Sequence, residues 1–131
     1  MLLCLRYGIM TALDDIAATE SFWAEEENFW LEGPDFYRAN MVKDAVMDFP
    51  EPTGLLKGEQ VLNALENAPR WDSVSFFDRD MEALGNKVRL TYRAEGKRDG
   101  AAAYVAKCES VYVKSGGDWL LTCHKQVPLE R

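Results

Sequence analysis

The sequence contains one histidine, His124, within the stretch DWLLTCHKQVPL at residues 118–129. A histidine acts as a general acid or base near neutral pH when an acid orients it and a pocket lies within hydrogen-bond reach. Alternation along the stretch predicts that this side chain shares a strand face with Leu120, Thr122 and Gln126. Three roles stay open for it, namely a base, a pocket-lining residue and a structural imidazole within a sheet, and the last is favoured.

Glu26 is a second candidate because it falls among aromatic residues on a predicted helix. At 100° per residue these residues cover one arc about 120° wide, and Glu26 lies near its centre. The aromatic residues of the arc are Phe22, Trp23, Phe29 and Trp30. A carboxyl group among indole rings would have a raised pKa and could donate a proton or anchor a ligand. Three consecutive glutamates more often form a solvated face, so an exposed Glu26 is the favoured expectation.

Aromatic side chains could shape a ligand site. A phenol can stabilise a developing enolate, but spacing singles out no pair among Tyr37, Tyr92, Tyr104 and Tyr112. The tryptophans are expected first of all to fill the core, although an aromatic-lined cavity would suit a flat apolar ligand. They are Trp23, Trp30, Trp71 and Trp119.

The cysteines argue against a disulfide or a metal centre. Cys4, Cys108 and Cys123 are odd in number and lack CxxC spacing, and one histidine cannot complete the usual zinc site with them. Cys108 and Cys123 lie among apolar residues without a basic pair, so we expect buried, inert thiols. No metal and no cofactor are expected, and reduced cysteines fit a cytoplasmic location.

Length and charge narrow the class of protein. A chain of 131 residues is expected to form a single domain over 1–131. A net charge of −7 without a basic run disfavours nucleic-acid and anionic-membrane partners. The opening MLLCLRYGI lacks the features of a signal peptide. Residues 1–9 are expected to be loose or to precede the true start, so Met1 and Met10 both stay open as the first residue.

The positions of glycine and proline, together with the spacing of apolar residues, predict mainly helices in the first half of the chain and strands in the second half. A long helix is expected over 13–31, a short one from Pro34 to about Val42, a strand over 43–50, and a third helix between Gly58 and Pro69. Alternating patterns then predict an antiparallel meander of four strands, near 72–84, 87–98, 101–114 and 118–126. The predicted class is α+β, with three helices on a strongly curved antiparallel, or mixed, sheet.

The third strand of the meander has apolar residues on both faces. Tyr104, Ala106, Cys108 and Tyr112 occupy one face, and Val105, Val111 and Val113 occupy the other. The apolar residues of the second face would be exposed to solvent unless another surface packed against them. Another copy of the chain is the simplest such surface. We therefore expect a homodimer through the outer sheet face.

Three further motifs accompany the long first helix. KDAVMDFPEPTGLLKGEQVLNAL (43–65) joins a strand to a helix, Ala68-Pro69-Arg70-Trp71 precedes the meander, and a closing hairpin runs from Ser110 to Pro128. Over residues 11–129 the chain resembles the nuclear-transport-factor-2-like superfamily, also called cystatin-like, in its SnoaL-like or small uncharacterised branches. The resemblance implies a cone-shaped fold with a pocket at its wide end and frequent dimers.

The resemblance also implies a candidate base near Asp48. In the isomerase and cyclase branches an aspartate near the end of the first strand moves a proton next to a carbonyl. If this segment is aligned with those proteins on Pro50, the position of their aspartate falls on Phe49, one residue after Asp48. One residue along a strand turns a side chain to the opposite face, so a loop or strand-end carboxylate is the favoured expectation for Asp48.

No catalytic residue is assigned at this stage, and Asp48, His124 and Glu26 are the candidates. We expect a ligand pocket lined by residues from several elements, namely Trp23, Tyr37, Phe49, Trp71, Tyr92, Tyr112 and His124. The favoured function is binding of a small apolar or aromatic molecule. The alternatives are a cofactor-independent isomerase, polyketide-cyclase-like or dehydratase-like enzyme that transfers protons, and a non-catalytic dimerisation or docking module.

Overall fold

The computed structural model describes residues 18–129. Three helices occur in this range: α1 at 18–31, α2 at Pro34–Asn40 and α3 at Glu59–Glu66. Six strands accompany them: β1 Met41–Asp48, β2 Leu55–Lys57, β3 Ser73–Leu84, β4 Lys87–Lys97, β5 Tyr104–Ser115 and β6 Asp118–Pro128. The expectations for residues 1–9, for the start of the first helix and for Cys4 fall outside the described residues.

The strands form one open, mixed sheet in the order β2-β1-β6-β5-β4-β3. Neighbours pair antiparallel except β1 and β6, which are parallel, so the first strand closes against the last strand of the meander. The predicted α+β class and the four-strand meander are confirmed. The sequence patterns missed β2, because three residues are too few to show a period.

The aromatic arc of α1 packs against the inner face of the sheet. Phe22 contacts Tyr112 edge to face with ring centroids 5.3 Å apart, and Trp23 contacts Tyr92 in the same way at 5.7 Å. All four aromatic residues of the arc are buried, as are the inward residues of β4, namely Val88, Leu90, Tyr92 and Ala94. The predicted core face of helix and strand is therefore correct.

A bulge in β6 changes which side chains face inward. Val111 pairs with Cys123 while Tyr112 pairs with Leu121, so Thr122 is an extra residue without a partner on β5. Leu121 and His124 consequently lie on the same, inner face and are both buried. The expectation that His124 shares a face with Leu120 and Thr122 is wrong, because strict alternation fails across the bulge.

Gly58 turns the chain from β2 into α3. Its φ is +56°, its N–H donates to the Ala45 carbonyl at 2.9 Å, and a Cβ there would lie 2.9 Å from the Lys43 carbonyl oxygen. Any larger residue would combine a strained backbone with a clash against an atom of β1, which is a backbone atom and has little freedom to move.

We expect Gly58→Ala to lower the free energy of unfolding by about 2 to 3 kcal/mol. The matched control is Gly85→Ala, since Gly85 also has a positive φ, +68°, but has open space where a Cβ would lie. The control substitution should lower the free energy of unfolding by only about 1 to 2 kcal/mol, which is the effect of backbone strain alone. Urea unfolding of both variants measures the difference, and equal losses would show that the contact with β1 has no effect.

Candidate functional site

Glu26 is buried beneath the sheet and accepts hydrogen bonds from three hydroxyl groups. Only 1% of the residue is exposed. Ser110 Oγ donates to Oε2 at 2.5 Å, Tyr112 donates to Oε1 at 2.6 Å, and the Tyr92 hydroxyl also donates to Oε2. The expectation of a solvated Glu26 is wrong, because the sheet covers the aromatic arc of α1 at this point as well.

The hydrogen bonds keep the buried carboxyl group ionised. Burial on its own raises the pKa of Glu26, but contact with His124, the charge of that imidazole when protonated, and the hydroxyls of Ser110 and Tyr112 together lower the pKa below 4.5. Burial and the charge of Glu26 raise the pKa values of Tyr92 and Tyr112 well above 10. The site thus holds a carboxylate and two neutral phenols that donate to it.

His124 connects this carboxylate to a cavity. Its Nδ1 lies 2.6 Å from Ser110 Oγ and 3.5 Å from Glu26 Oε2. Ser110 has one hydroxyl hydrogen, and the carboxylate can only accept, so Ser110 gives that hydrogen to Glu26 and its oxygen accepts from the imidazole Nδ1–H. The neutral imidazole is therefore protonated on Nδ1, and its Nε2 carries a lone pair.

The other side of the imidazole fits this tautomer. Gln126 Nε2 lies 3.0 Å from His124 Nε2 and donates to it, while Gln126 Oε1 accepts from the Tyr104 hydroxyl at 3.0 Å. Burial, with a smaller effect of Cys108, raises the pKa of Tyr104 to about 12, so this phenol stays a donor. One directed chain of hydrogen bonds thus runs from Tyr104 through the imidazole to Glu26.

The register of the sheet and the bulge bring these groups together. Ser110 and His124 are direct partners across β5 and β6, and Cys108 pairs with Gln126 on the same face. Tyr92 pairs with Cys108 from the next strand, which places its phenol beneath α1. A residue on α1 and residues on three strands therefore converge at one point of the inner face.

The cavity has a volume of about 380 Å³ and a largely aromatic and aliphatic wall. His124 forms part of this wall, and its ring centroid lies 6.0 Å from Phe49 and 6.4 Å from Trp30, which also line it. Trp71 stacks on Tyr104 with ring centroids 5.3 Å apart and planes 12° apart. The polar residues of the wall are Tyr37, Thr53, Arg70, Arg98, Tyr104, His124 and Gln126.

The residues predicted to line the pocket divide into two groups. Tyr37, Phe49, Trp71 and His124 border the cavity. The other three, Trp23, Tyr92 and Tyr112, lie in the core and not on the cavity wall, where they pack against other rings or bind Glu26.

Two of the candidate catalytic residues lie off the cavity wall. Asp48 ends β1, where it pairs with Leu55 and Lys125, and its neighbours Met47 and Phe49 line the cavity instead. Glu26 does not line the cavity and lies behind His124, with its Oε2 3.5 Å from the imidazole Nδ1.

Sequence reasoning did not identify Ser110, Gln126, Arg70 or Arg98 as site residues. Ser110 had a detectable signal, because it is a polar residue on a face of β5 that is otherwise apolar, whereas Gln126 had none, because it shares its face of β6 with His124. The two arginines had none, since they lie in loops or at a strand end and reach the cavity only in the folded chain.

The thiols and the acidic residues form no further reactive centre in the described range. Burial raises the pKa values of Cys108 and Cys123, and both are free thiols. Within residues 18–129 no three His, Cys, Asp or Glu side chains are grouped so as to hold a metal ion. In the same range no helix is long and apolar enough to cross a membrane.

Comparison with known proteins gives matches in structure only. No family model matches the sequence, and no curated protein does. A candidate ketosteroid isomerase from Parabacteroides distasonis superposes with a TM-score of 0.65 at 15% identity, over 74% of this chain and 76% of that one. A nuclear-transport-factor-2-like protein of unknown function from Prochlorococcus marinus gives 0.71 at 15% identity, over 86% and 94%.

A third similar structure is a candidate calcium/calmodulin-dependent kinase II association domain from Exiguobacterium sibiricum. Its TM-score is 0.72 at 13% identity, over 86% of this chain and 92% of that one. The chain therefore has the nuclear-transport-factor-2-like, or cystatin-like, fold.

Proposed function

We propose that this chain, with its nuclear-transport-factor-2-like fold, is a cofactor-independent enzyme that moves a proton on a small molecule in the cavity. The observation that carries the proposal is the convergence of Glu26, Ser110 and His124 beside that cavity. A cavity that only holds a ligand has no need of an ionised carboxylate buried behind its single histidine.

In the proposed mechanism His124 is the base. Its Nε2 lone pair takes a proton from a carbon next to a carbonyl group, as in an isomerisation or a dehydration. The imidazolium that forms donates from Nδ1 to Ser110, and the Glu26 carboxylate 3.5 Å away balances its charge. Glu26 and Ser110 are thus positioning residues, because they act on the substrate only through His124.

Gln126 has to release Nε2 before the base can act. Its amide lies 3.0 Å from His124 Nε2, so a ligand must displace this hydrogen bond. The freed amide and the Tyr104 hydroxyl, which also line the cavity, would then donate to the carbonyl oxygen as negative charge develops on it.

The second candidate function is binding without chemistry. The occupied Nε2 and the mainly apolar wall favour it, because both suit a ligand that packs against the ring without exchanging a proton. A docking module is the weakest candidate, since a cavity of about 380 Å³ leaves the cone unfilled.

Deuterium exchange distinguishes the two leading candidates. The wild-type protein is incubated in heavy water with a panel of small cyclic and aromatic ketones and keto acids, and mass spectrometry follows deuterium uptake beside the carbonyl. The enzyme proposal predicts uptake above the buffer rate for at least one ligand that binds. Binding without added exchange for every ligand would instead establish a binding protein.

We further propose a homodimer through the outer sheet face. Val105, Val111 and Val113 lie there half-buried, and Phe77 and Val127 are exposed at 40% and 47%. A second copy would cover this apolar surface. Light scattering at micromolar concentration should give twice the mass of the chain, and a monomer would contradict the proposal.

A further inference from the structure

Two arginines on the cavity wall have no acidic partner within residues 18–129. Arg70 and Arg98 both line the cavity, and within residues 18–129 every ion pair between an arginine and a carboxylate belongs to Arg38, Arg89 or Arg93. The chain as a whole has 22 acidic and 15 basic residues. Two unpaired cations at one cavity are therefore unexpected in an acidic protein, where carboxylates are plentiful.

Arg70 is held at the end of α1 by neutral groups. Its Nη2 donates to the carbonyl oxygens of Phe29 and Trp30, both at 2.6 Å, and lies 3.4 Å from the Tyr37 hydroxyl. Its Nε is buried and has no partner among the described residues. A buried donor without an acceptor is unfavourable, so the described residues leave the hydrogen-bonding capacity of this guanidinium incomplete.

Arg98 is fixed in a similar way at the end of β4. Its guanidinium carbon lies 3.9 Å from the centre of the Trp71 ring, and its Nη2 donates to the Pro69 carbonyl at 3.3 Å. Its Nε is also buried, again with no acceptor in the described part of the chain. The ring and the carbonyl orient the guanidinium but leave its positive charge uncompensated.

We propose that the cavity takes a small organic acid whose carboxylate pairs with Arg70 and Arg98. The inference rests on the proposed function and names the substrate class of that enzyme. A carboxylate supplies acceptor oxygens and one negative charge to the two arginines. The aromatic and aliphatic wall, with Trp30, Trp71 and Tyr104, fits a flat apolar body that extends toward His124.

The test compares acids with neutral analogues of the same shape. Binding of trans-cinnamate, benzoate and cyclohexanecarboxylate is measured by calorimetry beside their amides, with phenyl phosphate as a further probe. The wild type should bind at least one acid about tenfold or more tightly than its amide. Arg98→Gln should lose this preference, and Arg38→Gln, which alters an exposed arginine on α2, should keep it.

Arg98→Gln is the main variant because Arg70 also donates hydrogen bonds to carbonyl groups at the end of α1. Loss of those bonds in Arg70→Gln is expected to impair folding. Equal binding of acids and amides, no binding by any acid, or a preference that survives in Arg98→Gln would overturn the inference. Tighter binding of phenyl phosphate than of every acid would overturn the choice of a carboxylate.

His124→Gln separates this inference from the proposed function. The variant should still prefer acids, because the arginines are unchanged. Preference for acids without deuterium exchange in the wild type would refute the enzyme alone, whereas exchange on neutral ketones without preference for acids would refute the substrate class alone.

Discussion

Replacing Glu26 with glutamine is expected to lower the free energy of unfolding by about 3 kcal/mol or more. The amide keeps the shape of the carboxyl group but loses its charge, and its NH₂ would face hydroxyl donors where an acceptor is needed. Tyr92, Ser110 and Tyr112 donate to this carboxylate, so at least one of them would lose its acceptor in the core. Urea unfolding at neutral pH measures the loss.

The control is Glu27→Gln on the same helix, at an exposed position. It removes the same charge from α1 and should change stability by no more than about 0.5 kcal/mol. Equal effects of the two substitutions would show that the buried hydrogen bonds of Glu26 contribute nothing to stability.

The stability difference between the wild type and Glu26→Gln should also depend on pH. The folded pKa of Glu26 lies below its unfolded value of 4.5, so the contribution of the carboxylate is fully present above about pH 4.5. It is lost as the pH falls through the lower folded pKa, and the gap between the two proteins should narrow in acid. A gap that widens in acid would mean that folding raises this pKa.

His124→Gln should reduce the rate of deuterium exchange by about 100-fold or more, which is the usual contribution of a general base. Glutamine can still occupy the cavity wall but has no nitrogen lone pair that takes a proton near neutral pH. The rate is compared with the wild type on the ligand that exchanges best, and binding of that ligand is measured separately.

The matched control for this prediction is Cys123→Ser, next to His124 but on the outer sheet face. Its exchange rate should stay within about twofold of the wild type, since the outer face does not border the cavity. Unchanged exchange in His124→Gln would remove this histidine from the mechanism and leave another group as the base.

Local patterns predicted most of the fold. The alternation in Val88, Leu90, Tyr92 and Ala94 gave the inner face of β4, and the aromatic arc gave the buried side of α1. Both patterns repeat several times within one element, so they can be recognised without knowledge of its neighbours. β2 has three residues and no repeat, and it was missed for that reason.

The site depended on neighbours that the sequence does not specify. The helical wheel placed Glu26 correctly among aromatic residues, but how far the sheet covers that helix is decided by strands such as β4 and β5, whose residues lie up to 86 positions away in hydrogen-bonded contact with Glu26. The face of His124 depended on one extra residue in β6, which appears only in its register with β5. Arg98 joins the cavity because it packs on Trp71, 27 residues earlier in the chain.

The central claim is that Glu26, through Ser110, holds His124 with its proton on Nδ1, so that the lone pair of Nε2 can act as a base once Gln126 releases it. Nitrogen NMR tests it directly, because His124 is the only histidine in the sequence and an untagged, labelled protein gives one pair of ring signals. We predict the Nδ1–H tautomer in the neutral ring, and a shift toward the other tautomer in Glu26→Gln. A neutral wild-type ring protonated on Nε2, or the same tautomer in the wild type and in Glu26→Gln, would contradict the account.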